Sequence, residues 1–204
     1  MSYARNVLGA LLLGLSLVSP AAAQYRPASQ DRAVWFFARS GGYNGLTKLN
    51  DAGSADLKKV GYNVGGGAGV QVNKFVALRG DFTYARNQFR ANQVGTGQHL
   101  NRFFYDGAVQ LQYPSAIGLM PYLFAGGGAV TIHQVGTTGQ DKTKGTGTAG
   151  LGLNYTVPGS GVGLFVEGKS WLYKPTNVGG ALTGVNKLQY EIGWSGGLSY
   201  KLPF

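Results

Sequence analysis

Residues 188–204 alternate without a break, and that single pattern restricts the chain to architectures made of long strands with one apolar face. Even positions carry Leu188, Tyr190, Ile192, Trp194, Gly196, Leu198, Tyr200, Leu202 and Phe204; odd positions carry Gln189, Glu191, Gly193, Ser195, Gly197, Ser199, Lys201 and Pro203. Successive side chains leave a strand on opposite faces, so a period of two is a strand and not a helix. One face is apolar and aromatic, and the other is small, polar and charged.

The opposite end of the chain points to export. Arg5 precedes a twelve-residue apolar run, 7–18, and Pro20 is followed by Ala21, Ala22, Ala23 and Gln24. A charged start, a short apolar run and a small-x-small site predict a signal peptide over 1–23, cleaved after Ala23. The run is too short to span a bilayer as a helix, and no later one approaches eighteen apolar residues. Residues 24–32 then form a short N-terminal periplasmic segment, and 33–204 form one domain.

Cysteine is absent, which removes disulfide frameworks and thiolate metal sites. The formal charge of +10 falls to +9 once Arg5 is cleaved away, favouring anionic partners. Export makes phosphorylated lipid the better partner and nucleic acid the poor one. Glycine, at 35 residues, has no collagen-like period and sits inside strand-like segments.

Alternation and turn punctuation give eight strands, near 33–44, 60–73, 75–84, 103–113, 122–132, 147–157, 162–173 and 188–204. Their connections alternate long, short, long, short, long, short, long. Long ones fall at 45–59, 85–102, 133–146 and 174–187. That rhythm predicts an all-β, eight-stranded antiparallel up-and-down transmembrane β-barrel with tight periplasmic turns and longer extracellular loops. Tyr62, Tyr84, Tyr105 and Tyr190 are expected at the long-loop girdle, and Tyr113, Tyr122, Tyr155 and Tyr200 at the short-turn girdle. Tyr190 and Tyr200 lie ten residues apart, which at ~3.4 Å per residue and a tilt near ~40° spans roughly 25 Å. A soluble lipocalin-type barrel would show the same alternation with the faces reversed. Placing Trp194 and the leucines and tyrosines inside would overfill it.

Parity then sorts the charges. Arg39, Arg79, Asp81, Asp106, Glu167, Lys169 and Glu191 are expected in the lumen, with Phe104, Phe165 and Trp171, because charges facing hydrocarbon are costly. Arg39 has the most ambiguous parity, following Trp35, Phe36 and Phe37. The long loops carry ten basic residues against Asp51, Asp56 and Asp141. Among them Arg86, Arg90 and Arg102 are expected to contact lipopolysaccharide phosphates, since guanidinium forks suit phosphate.

Two motifs yield to plainer readings. Gly145-Thr-Gly-Thr-Ala-Gly150 is a literal G-x-G-x-x-G, but alternation follows it where a dinucleotide site needs a helix. His99, inside a long loop, and His133, expected inward at a loop edge, have no serine within three residues. A hydrolytic triad is therefore not expected, and two histidines are too few for a metal site. No cofactor is implied.

The export signal, the eight-strand rhythm and the closing strand ending on Phe204 together resemble the outer-membrane β-barrel family related to the OmpA transmembrane domain and to OmpX-like small barrels. The resemblance implies that Tyr200, Leu202 and Phe204 belong to the signal read by the barrel assembly machinery. It also implies outer-membrane lipids, including lipopolysaccharide, as partners and a monomeric state. It further implies a non-enzymatic role, either structural or as a weak small-solute pore, with loop-mediated surface adhesion as the alternative. A lipid A-modifying enzyme is the more distant rival.

Overall fold

The computed structural model describes residues 32–46, 60–88, 99–135, 141–176, 178 and 187–203. The expected signal peptide and nearly all of segment 24–32 lie outside them, as do Arg90 and Phe204. Eight strands run β1 (Ala33–Gly45), β2 (Gly61–Gln71), β3 (Val76–Gln88), β4 (His99–Gln112), β5 (Leu119–Val135), β6 (Lys142–Thr156), β7 (Val162–Tyr173) and β8 (Gln189–Pro203). Each pairs antiparallel with its sequence neighbour. β8 returns to β1, from Ala33 opposite Pro203 to Gly45 opposite Glu191, and closes the barrel. Closure leaves no unpaired sheet edge, which a hydrocarbon environment would penalise.

Three short turns join the strands at one end. In the first, the Asn73 side-chain oxygen accepts hydrogen bonds from the Phe75 and Val76 amides at 2.8 and 2.9 Å, an Asx-type closure. The third uses Gly159 and Gly161 at φ of 77° and 69°, a region that side chains disfavour.

The two faces of the wall have opposite chemistry. Outward positions include Phe36, Leu78, Tyr105, Leu123, Leu151, Val166, Trp194 and Leu198, all exposed. Arg39, Arg79, Asp81, Arg102, Asp106, Glu167, Lys169 and Glu191 are all buried in the interior. An apolar exterior around a charged interior inverts a soluble barrel, so this is a membrane-spanning one. Toward the long-loop end the exterior carries an aromatic belt, with Tyr62 and Tyr84 rings 6.0 Å apart, Tyr84 and Phe103 5.2 Å, and Phe82 and Tyr105 5.4 Å. At the short-turn end Phe75 stacks on Tyr113 at 6.4 Å. Tyr122 departs from the expected girdle: it faces inward and is buried, three residues inside a strand that begins at Leu119 and in phase with the buried Phe124, Val130 and Ile132.

Several wall glycines seat interior rings. A side-chain carbon on Gly150 would lie 2.4 Å from Phe124, on Gly152 2.4 Å from Tyr122, and on Gly197 2.7 Å from Phe165. Rings folded flat onto glycine let a narrow interior hold large side chains. This accounts for part of the glycine content of the strand-like segments. The G-x-G-x-x-G segment lies within the continuous strand β6, so no helix follows it.

Candidate functional site

The interior is the place where side-chain chemistry concentrates. Arg39 on β1 forms ion pairs with Asp81, at 2.6 Å, and with Glu167. Arg79 on β3 pairs with the same two acids, at 2.8 Å to Asp81 and 2.7 Å to Glu167. Two arginines and two carboxylates therefore alternate around a closed ring. Since β3 and β7 are four strands apart in an eight-stranded barrel, the ring crosses the lumen from wall to wall.

The ring's acids are well furnished with donors. The Thr83 hydroxyl donates to Asp81 at 3.1 Å, and the Lys169 ammonium lies 3.3 Å from the other Asp81 oxygen. Tyr122 donates its hydroxyl to Glu167 at 3.0 Å. The Arg79 guanidinium is sandwiched between Phe37 and Phe124, 4.6 and 4.4 Å from their centroids. Such packing excludes water while the ring planes offer their negative faces to the cation. Lys169 extends the network to Asp106 at 2.9 Å, and the Trp171 indole donates to the same Asp106 oxygen at 3.1 Å.

Toward the long loops an aromatic layer follows. Phe104 stacks on Trp171 at 4.7 Å, and Tyr43 and Tyr173 lie 5.8 Å from Trp171 and 6.1 Å from Phe104 respectively. Leu100, Val130, Ile132 and Val178 complete this apolar cluster. Beside it Arg102 on β4 pairs with Glu191 on β8, donates to Asn87, and lies 4.7 Å over the Tyr43 ring. Tyr173 donates to Glu191 at 2.9 Å.

Arg102 corrects the sequence reading. It is not a loop cation turned toward lipopolysaccharide but a fully buried lumen residue, because β4 begins at His99, four residues before the predicted start. Its parity with Phe104 and Asp106 would have placed it inside had the strand been extended backwards. With Arg102 included, the four interior acids Asp81, Asp106, Glu167 and Glu191 face four bases, Arg39, Arg79, Arg102 and Lys169. Glu191 belongs to this separate pair and not to the ring. Lys142 and Lys144 likewise leave the loop group, lying on β6 in phase with the inward Thr146 and Thr148. Arg86 sits on β3 and shares the outward phase of Phe82 and Tyr84.

His133 also differs from expectation. It shares the outward phase of Thr131 at the end of β5, and its Nδ1 lies 2.6 Å from an Asp141 oxygen. A base and an orienting acid are thus present, but the adjacent hydroxyls of Thr131 and Thr143 bond to each other at 3.0 Å. Among the described residues no hydroxyl hydrogen-bonds the His133 ring, so the arrangement lacks an engaged nucleophile. Tyr200 is half-buried and Leu202 exposed at the end of β8.

No family model matches the chain, and no curated protein matches its sequence. Solved structures do match. Neisserial surface protein A aligns with a TM-score of 0.60 at 15% identity, over 83% of this chain and 97% of that one. The outer membrane protein OprG from Pseudomonas aeruginosa aligns with a TM-score of 0.51 at 13% identity, over 85% and 98%. The chain has the fold of a small outer-membrane β-barrel. At these identities the likeness carries the architecture, and what the barrel does must come from its own interior.

Proposed function

We propose that this chain is an integral outer-membrane barrel whose role is structural, with at most a weak and intermittent passage for small solutes. The observation that carries the reading is the Arg39–Asp81–Arg79–Glu167 ring, which ties opposite walls together on the barrel axis. The aromatic layer of Tyr43, Phe104, Trp171 and Tyr173 lies above it. An eight-stranded barrel has little more interior than its own side chains require. Ions crossing it would have to displace paired charges and stacked rings in turn. Recording single-channel currents from purified, refolded protein in planar bilayers tests this, with heat-modifiability confirming the folded state. Small or rare events are expected, and large steady porin-like currents would overturn the reading.

Binding through the long-loop end is a second reading. It is favoured by the β5–β6 hairpin, whose ladder reaches Ile132 opposite Lys142 and is followed by the His133–Asp141 side-chain hydrogen bond at 2.6 Å. Part of the expected loop is thereby a stiff raised rim. Shortening the four loops and measuring adhesion to host cells separates the two readings, because the structural role survives that change.

A further inference from the structure

Below the ionic ring, at the short-turn end, lies a cavity of about 80 Å3 lined by residues from all eight strands. Lining from every strand places it on the barrel axis, as a vestibule facing the periplasm. Its inner end is the Arg79–Glu167 pair, whose charges already meet at 2.7 Å although the Arg79 Nε has no partner. Most of its polar wall is also occupied: Gln110 donates to Gln112 at 3.0 Å, Ser199 to Asn154 at 3.1 Å, and Asn154 to Thr156 at 3.1 Å.

Two side chains break that pattern. Lys201 lines the cavity and makes no ion pair among the described residues. Gln71 lines it as well, is buried, and has no side-chain hydrogen bond among them. Between these two strands β1 contributes Trp35, which faces Lys201 across the β1–β8 ladder and Gly69 across β1–β2. Its indole lies against Gly69, where an added side-chain carbon would come within 2.2 Å of the ring. Three adjacent strands thus present an unpaired ammonium, an unengaged carboxamide and an aromatic plate to one partly open space. Buried polar groups are ordinarily paired.

We propose that this vestibule binds a small monoanionic, carboxylate-bearing solute from the periplasm. The Lys201 ammonium takes the carboxylate by a charge-assisted hydrogen bond, and the Gln71 carboxamide takes a hydroxyl on the same molecule. Trp35 covers its apolar side. A single cation matches one negative charge, whereas a phosphate dianion calls for two. At roughly 10–15 Å3 per enclosed water-sized particle, the volume holds about five to eight non-hydrogen atoms, the size of a small hydroxy acid.

The test is an NMR titration of the full mature chain refolded in detergent, following its tryptophan indole and glutamine side-chain signals. The probes are lactate, its uncharged amide lactamide, and inorganic phosphate. Saturable lactate shifts are expected at Trp35 and Gln71, while Trp171, above the ring, and Trp194, on the lipid face, stay still. Lys201→Gln is expected to weaken lactate binding about tenfold or more, and Lys201→Arg to retain it. Absence of saturation, equal binding of lactamide, tighter binding of phosphate, or unchanged binding in Lys201→Gln would each overturn the proposal. Should Lys201→Gln fail to fold, the lactate and lactamide comparison on the unaltered chain decides the matter alone.

Discussion

Replacing Glu167 with glutamine removes one charge from the ring while preserving shape, which makes it the most informative single perturbation of the lumen. Glu167 accepts from Arg39, from Arg79 at 2.7 Å and from Tyr122 at 3.0 Å, and its side chain is fully buried. The substitution leaves Arg39, Arg79 and Lys169 facing only Asp81 and Asp106, and it turns an amide donor toward one of the guanidinium groups. Breaking a buried pair by neutralising one partner costs about 3–5 kcal/mol, because a desolvated charge loses its compensation. Removing both partners is far cheaper. Arg79→Met with Glu167→Met leaves Arg39, Asp81, Lys169 and Asp106 balanced, so the double variant is expected to be more stable than Glu167→Gln alone. Equilibrium urea unfolding of the barrel in lipid vesicles measures the free energies, and planar-bilayer recording of the same samples measures conductance. Glu167→Gln is expected to lose stability and to raise the frequency or size of channel events, and Lys169→Met to do the same. Simple additivity of the Arg79→Met and Glu167→Met losses in the double variant, with no change in current in Glu167→Gln, would refute the view that the ring closes the lumen as one coupled unit.

Other expectations follow from particular positions. Phe204→Ala is expected to lower the amount of folded barrel in the outer membrane while detergent refolding changes little; equal loss in both assays would remove the targeting role proposed for Tyr200, Leu202 and Phe204. Arg86→Ala is expected to reduce lipopolysaccharide co-purification in low salt, as a proposal for the outward cation at the loop end. Arg102→Ala is expected instead to leave Glu191 uncompensated and to cost about 3–5 kcal/mol with no change in bound lipid. Gly150→Val, whose side chain would meet Phe124 and the Gly168 carbonyl, is expected to lose about 1–3 kcal/mol by overpacking. Gly147→Ala, where nothing lies within 4 Å of the new carbon, is expected to stay within about 0.5 kcal/mol of the parent.

The barrel was legible because alternation survives wherever one face meets lipid. Parity pointed the seven named charges inward, since each flanking position carries an apolar or small residue, with Arg39 the least clear because Trp35, Phe36 and Phe37 precede it. Arg102 escaped because its strand runs on past the apolar band. Above the girdle the outward positions Asn101 and His99 are polar, so hydropathy no longer marks which face is which. The same loss of contrast hid Lys142 and Lys144, whose outward neighbours are Thr143 and Gly145. Tyr122 was misplaced for a different reason. An aromatic residue near a strand end reads as girdle, but β5 is apolar on its inward face too, where Phe124, Val130 and Ile132 are buried in phase with Tyr122. Nothing in the linear pattern shows that Arg39, Asp81, Arg79 and Glu167 close a ring, because that depends on which strands stand opposite once the sheet curls.

The opposed charges also act as a check on how the barrel shuts. β8 must seat against β1 with Glu191 beside Gly45, and only in that register does its carboxylate meet Arg102 on the far wall. A slip of one residue would turn Glu191 and Lys201 out into the bilayer and strand Arg102 within. An exposed basic residue costs roughly 2–4 kcal/mol at mid-depth and about 0–1 kcal/mol near the interface, where Lys201 lies. The apolar face alone disfavours such slips. The lumen pairs make the penalty steeper and specific to one closure, so the interior charges proofread the β1–β8 seam.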